Sequence, residues 1–164
     1  MKECSIIVYR PIGVIRSEHT EAGKTPIQPV FAPECQGRAV LDPEYTDGLL
    51  DLDGFSHIYL VYHFDRVESA KLRVKPFMQD RAHGIFATRA PNRPNAIGLS
   101  IVQLERIEGS VLYFRGADIL DGTPLLDIKP YTVRFDMMSD TRNGWQDQVG
   151  DDVARQLGRR EYGS

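Results

Sequence analysis

Ten consecutive residues from Phe55 to Phe64, FSHIYLVYHF, are almost all apolar or aromatic. Bounded by Gly54 and Asp65, the run reads as a central strand covered on both faces, since an edge strand would leave half of it in water. His57, inside the run, reads as a core imidazole bonded to backbone. The segments around it are short and rich in β-branched residues: Ser5 to Tyr9, Ile12 to Arg16, Gly37 to Leu41, Gly84 to Thr88, Leu99 to Ile107, Val111 to Arg115, Leu125 to Lys129 and Thr132 to Met137. Glu108-Gly109-Ser110 makes a hairpin turn between two of them. There are too few helical crossovers for a parallel sheet. About eight short strands at this spacing predict a mainly β protein, a small antiparallel β-barrel with short helices.

The helices are few. Pro43 to Leu52 predicts a short one with Asp42 as N-cap and Pro43 in its first turn, ended by Gly54. After the linker SDTRNG, Trp145, Val149, Val153 and Leu157 recur every four residues, which predicts a carboxy-terminal helix or tail. The division expected is a barrel domain over residues 1–138, then a linker and helix or tail over 139–164. Residues 18–33, with Pro26, Pro29 and Pro33, read as a long ordered loop or flap. The polar, basic segment from Asp65 to Arg81 reads as a mobile excursion or a solvated face.

Functional information concentrates in residues 83–100, HGIFATRAPNRPNAIGLS. Pro91 and Pro94 fix φ and press Ala90 and Arg93 towards extended geometry, so the loop loses little entropy on gripping a ligand. It carries the forks of Arg89 and Arg93, suited to a carboxylate or phosphate, and the amides of Asn92 and Asn95, suited to a base edge.

The string ATRAPNRPNAIGLS, with DGTPLLDIKPY further on and PIGVIRS near the start, closely resembles the TsaA-like (TrmO) family. The resemblance runs from about Tyr9 to Phe135 and includes three motifs in the family's order. It implies a small β-barrel that uses S-adenosylmethionine as cofactor and works as a homodimer. The reaction it implies is methylation of N6 of threonylcarbamoyladenosine, next to the anticodon of tRNA. It also implies cofactor contacts at Gln28 and Pro29 in the flap, at the pair His63-Phe64, at Arg89 and Leu99, and at Ile119, Leu120, Asp121 and Gly122. Ile27 stands where an arginine is common in the family. With Arg89 on the methionine carboxylate, Arg93 and Asn95 face the tRNA.

Methyl transfer from sulfonium to nitrogen needs alignment, and neither a metal nor a covalent nucleophile. The sequence agrees: Cys4 and Cys35 lie in no metal-ligand spacing and read as two free buried thiols. A base near the acceptor nitrogen would contribute about 10² to 10⁴ in rate. Asp118, Asp121 and Asp127 each qualify as that base or as a ribose ligand, and Lys129 and Tyr131 as partners for the threonyl carboxylate or a phosphate. Asp127 and Lys129 could instead form an ion pair at a strand end.

The net charge of −3 opposes nonspecific nucleic-acid binding. Yet Arg66, Lys71, Arg73, Lys75, Arg81, Arg89 and Arg93 gather in one stretch, while Asp47, Asp51, Asp53, Asp147, Asp151 and Asp152 lie outside it. A barrel methyltransferase acting on a small molecule or another RNA, or a non-catalytic cofactor- or RNA-binding module, are the alternatives. No apolar run approaches the roughly 18 residues of a membrane helix, and the amino terminus is too interrupted for a secretory signal, so a cytoplasmic location is expected.

Overall fold

The computed structural model describes residues 5–160. Its strands are β1 (Gly13–Ser17), β2 (Gln36–Leu41), β3 (His57–His63), β4 (Arg73–Val74), β5 (His83–Gly84), β6 (Ile97–Glu108), β7 (Val111–Arg115) and β8 (Thr123–Pro130). Six of them close an antiparallel barrel in the order β1-β2-β7-β6-β3-β8, and β4 pairs with β5 as a separate ribbon. Two α-helices follow, α1 (Val133–Asp136) and α2 (Asp151–Arg159).

Alternation along the strands builds the interior. In β3 the residues Ile58, Leu60 and Tyr62 point inward, opposite Val102, Ser100 and Gly98 of β6. With Ile15, Ala39, Leu41, Leu112, Phe114 and Leu125 they fill the barrel. Each large apolar side chain so buried contributes about 1.5–3 kcal/mol against exposure.

A closed barrel gives every strand one inner and one outer face, which corrects the expectation that β3 is covered on both. Its apolar outer residues form surface instead. His57 is likewise exposed, with Nδ1 2.9 Å from the Ser56 hydroxyl, and is no core imidazole.

Three expected strands do not form. Residues 5–9 stay outside the sheet, with Ile6, Ile7, Val8 and Tyr9 exposed, because β1 already pairs with β8 and leaves no open edge. The Gly84 to Thr88 run is strand only at β5; Ile85–Ala87 then turns as a 3-10 segment that buries Ile85. Thr132 to Met137 holds α1, because the Thr132 hydroxyl accepts from Phe135 N at 3.3 Å and Asp136 accepts from Thr132 N at 2.8 Å, a reciprocal cap.

The helices differ too. Pro43–Leu49 is 3-10, and Asp42 makes no side-chain cap bond; Asp51, at φ 65°, separates it from a second 3-10 turn, Leu52–Gly54. Trp145 lies in a 3-10 turn, Gly144–Gln148, and Val149 after it, so the four-residue stripe is split before α2 begins. The segment from Asp65 to Arg81 is docked, with Lys71 N on Asn92 O at 2.9 Å and Arg66 Nη2 on Asp121 O at 2.5 Å. Cys35 is buried, and Cys4 falls outside the described residues. No helix among the described residues is long and apolar enough to cross a membrane.

Candidate active site

The proline loop between β5 and β6 is held from within. Arg93 is half-buried, and its Nη1 donates to the carbonyls of Thr88 at 2.7 Å, Ile85 at 3.2 Å and Ala90 at 3.4 Å. Asn92 Nδ2 ties the loop to Ser69 O at 3.2 Å. Arg93 and Asn92 therefore shape the loop, while Arg89 and Asn95 are exposed on it. Arg89 Nη1 donates to Gln28 Oε1 at 2.7 Å, joining the loop to the flap across 61 residues of sequence.

The turn before β8 is fastened to β1. Asp121 N donates to His19 O and Gly122 N to Ile15 O, both at 2.8 Å, while Ser17 Oγ donates to Ile119 O at 2.5 Å and Thr123 Oγ1 to Leu120 O at 2.7 Å. Gly122, at φ 81°, makes the left-handed step the turn requires. The Asp121 carboxylate is spent on the same junction, taking Ser17 N at 3.1 Å and Arg16 at 3.4 Å. The Leu120 carbonyl also takes Thr123 N at 3.3 Å, so on this rigid rim it is the Ile119 carbonyl that keeps a second lone pair.

A buried polar chain runs inside the barrel wall. Tyr62 and Ser100 are 4% and 1% exposed, and their hydroxyls are 3.0 Å apart. Ser100 Oγ donates to Asp118 Oδ1 at 2.7 Å, so its single proton is committed and Tyr62 donates to it. Gly98 makes room: a Cβ there would land inside the Tyr62 ring. Burial pushes the Asp118 carboxyl up to about 7, against the lowering effects of the Ser100 hydroxyl, its own backbone N–H and the positive charge of Arg89. Burial, then the negative charge of Asp118, raises the Tyr62 phenol as well.

Five of the predicted site residues share the outer wall of β6, β3 and β8. His63 lies opposite Ile97, Leu99 opposite Val61, and Asp127 and Lys129 opposite Val61 and Tyr59. Tyr131 packs its ring 5.9 Å from Tyr59. Asp127 Oδ2 and Lys129 Nζ are 2.9 Å apart, the strand-end ion pair, and Asp127 Oδ1 takes Ile128 N at 2.9 Å. Phe64 is half-buried, its ring edge-on to Tyr62 at 5.4 Å. Pro29 packs beside Gly116. Arg89 is near enough to Tyr59, Tyr62 and Asp118 for its charge to act on all three. It therefore sits between outer wall, inner chain and flap.

Sequence reasoning missed Tyr62 and Ser100. The signal was present in Gly98-x-Ser100, a glycine and a hydroxyl on the inner face of an otherwise apolar alternation. Among the described residues no group of His, Cys, Asp and Glu side chains is arranged to hold a metal ion.

A closed antiparallel barrel on which an exposed arginine joins two loops defines the class: a small β-barrel with a loop-built polar rim. The family model described as tRNA-methyltransferase O N-terminal domain matches residues 14–137, and the chain belongs to that family. A probable S-adenosyl-L-methionine-binding protein of Pyrococcus abyssi is 50% identical over 85% of this chain and 76% of its own length. The tRNA (adenine(37)-N6)-methyltransferase of Homo sapiens is 37% identical over 82% of this chain but 32% of its own. A crystal structure of TrmO from Pseudomonas aeruginosa superimposes with a TM-score of 0.73 at 39% identity, covering 86% of this chain and 63% of that one. The chain thus spans less than two thirds of the solved TrmO chain and about a third of the human protein.

Proposed function

We propose that this protein is a cytoplasmic, S-adenosylmethionine-dependent tRNA methyltransferase that modifies N6 of threonylcarbamoyladenosine next to the anticodon. The observation that carries the reading is the convergence of Arg89, Gln28 and Asp118 on one rim of a barrel of the tRNA-methyltransferase O family. The donor set fits the cofactor. Arg89 offers a fork for the methionine carboxylate, with Gln28 and Pro29 beside it. The Ile119 carbonyl, on the rim fixed by Asp121 and Gly122, suits the adenine amino group, and Leu120 O is held in the turn by Thr123. Leu99, His63 and Phe64 supply apolar and aromatic surface.

When bound, S-adenosylmethionine supplies a methyl group on a cationic sulfur whose charge is discharged as the methyl leaves. The chain's own residues have three tasks. Arg89 and the rim orient; Asn95, Lys129 and Tyr131 meet the threonyl carboxylate or phosphates; a carboxylate takes the N6 proton. For that last task Asp118 is the best placed of the three candidates. Asp121 and Asp127 have both oxygens engaged, whereas the Asp118 carboxyl sits near 7, where a base both accepts and releases a proton at neutral pH. Arg93 acts by holding the loop.

The homodimer belongs to the same reading. Ile97, Leu99 and Ile101 line the outer face of β6 at 41%, 45% and 37% exposure, and Val133, Phe135, Met137 and Met138 stand exposed on and after α1. Asp136 of α1 is near enough to the Tyr59 phenol for its charge to raise it, and Tyr59 pairs with Ile101, so the two groups adjoin. A second copy covering this wall would close the site over His63 and Leu99.

Titration of S-adenosylmethionine by calorimetry, with wild type and Arg89→Ala, tests the cofactor site. Binding by the wild type that is lost in the variant is expected; equal affinity would remove Arg89 from the site.

A further inference from the structure

The two partners of the Arg89–Gln28 hydrogen bond sit on separate loops, and the carboxy-terminal segment grips both. Next to Gln28, Ile27 N donates to Gly158 O at 2.9 Å. Two residues before Arg89, the Ala87 carbonyl accepts from Trp145 Nε1 at 2.8 Å. The grip has further points. The Trp145 indole stacks on His83 with centroids 4.8 Å apart, and Gln79, bonded to His83 Nε2 at 2.6 Å, reaches Gln148 at 3.2 Å. Arg160 lies 4.3 Å over the Phe77 ring and donates to Ala22 O. Arg159 pairs with Glu34 at 2.6 Å, and a Cβ at Gly158 would collide with the Phe31 ring. All of these carboxy-terminal residues lie beyond residue 137, where the family match ends.

We propose that residues 144–160 form a strap that sets Gln28 and Arg89 in register, with Trp145 a positioning residue for ligand capture at Arg89. The strap bonds the flap at Ile27 and the proline loop at Ala87, so it is a common frame on which both are mounted. Trp145 acts through Ala87 and touches no ligand itself. Its indole N–H is the donor that anchors the 3-10 turn leading into Thr88 and Arg89. The assignment of S-adenosylmethionine as the ligand rests on the function proposed above; the positioning of Arg89 does not.

Trp145→Phe keeps a ring for His83 and removes the N–H donor. In the full chain, the side-chain resonances of the Arg89 guanidinium and the Gln28 carboxamide are followed by NMR without ligand, alongside the KM for S-adenosylmethionine and kcat at saturation. Both resonances should shift, and KM should rise about three- to tenfold, the loss expected of one hydrogen bond, with kcat unchanged within about twofold. Trp145→Ala, which also loses the stack, should extend both effects. Unmoved resonances, or a fall in kcat with KM unchanged, would overturn the proposal, the latter because it reports only a loss of folded enzyme. Shifted resonances in a protein that binds no S-adenosylmethionine would uphold the strap and refute the cofactor assignment.

Discussion

The hydroxyl of Ser100 donates to the carboxylate of Asp118 at 2.7 Å from within the barrel wall, and so links the β6 ladder to the turn that precedes β8. A carboxyl held this way belongs to the scaffold by position and to the site by charge, since Arg89 acts on it from the rim.

If Asp118 accepts the N6 proton, Asp118→Asn should lower kcat by about 10² to 10⁴ while leaving the affinity for S-adenosylmethionine within about threefold. In the wild type kcat should rise with pH through about 7 and level off, and the variant's residual rate should lack that limb. Steady-state rates across the pH range check both. A variant with normal rates assigns Asp118 to structure alone.

The same carboxyl makes stability depend on pH. Its folded value, about 7, lies above the ordinary 3.8, so the folded state holds a proton that the unfolded chain releases. The protonated form favours folding, and that contribution declines as pH rises from about 4 to about 7, then stays level. Urea unfolding at about pH 5 and about pH 8 should show the wild type losing stability relative to Asp118→Asn. Parallel pH dependence in the two proteins would show an ordinary carboxyl.

Gly98→Ala tests the space behind Tyr62. The added methyl has no room beside that ring, which is 4% exposed and bonded to Ser100. Overpacking of this kind costs about 1–3 kcal/mol, read as a lower urea midpoint with unchanged slope. No change in midpoint would mean that the ring moves aside freely.

Ile101→Asp places a charge on the outer wall opposite Tyr59. Light scattering should report a dimer for the wild type and a monomer for the variant. A wild-type monomer, or a variant that remains dimeric, removes this wall from the interface.

Much of the barrel was readable because its inner faces alternate and its turns are punctuated: β1, β2, β6, β7 and β8 fall within a residue or two of the expected runs, apart from the longer ends of β6 and β8. Two of the failures share one reason, that local pattern is blind to closure. The apolar residues 5–9 look like a strand, and the structure has no edge to receive them. The run Phe55 to Phe64 looks doubly buried, yet its outer half is surface. Thr132 and Asp136 carried a helix cap that β-rich neighbours disguised. For the site, Arg89 and Gln28 stood out through the resemblance, but the bond between them, across 61 residues, was not readable in the sequence. The roles of Trp145 and Ser100 were hidden, since each depends on a partner at least 18 residues away.

The most direct measurement is transfer of labelled methyl from S-adenosylmethionine to tRNA that carries threonylcarbamoyladenosine, beside tRNA from cells unable to make that modification. The account predicts label in the first tRNA only, recovered on the modified adenosine after digestion to nucleosides. Absence of label from both, by a protein that binds the cofactor, would contradict it and direct the search to a different acceptor.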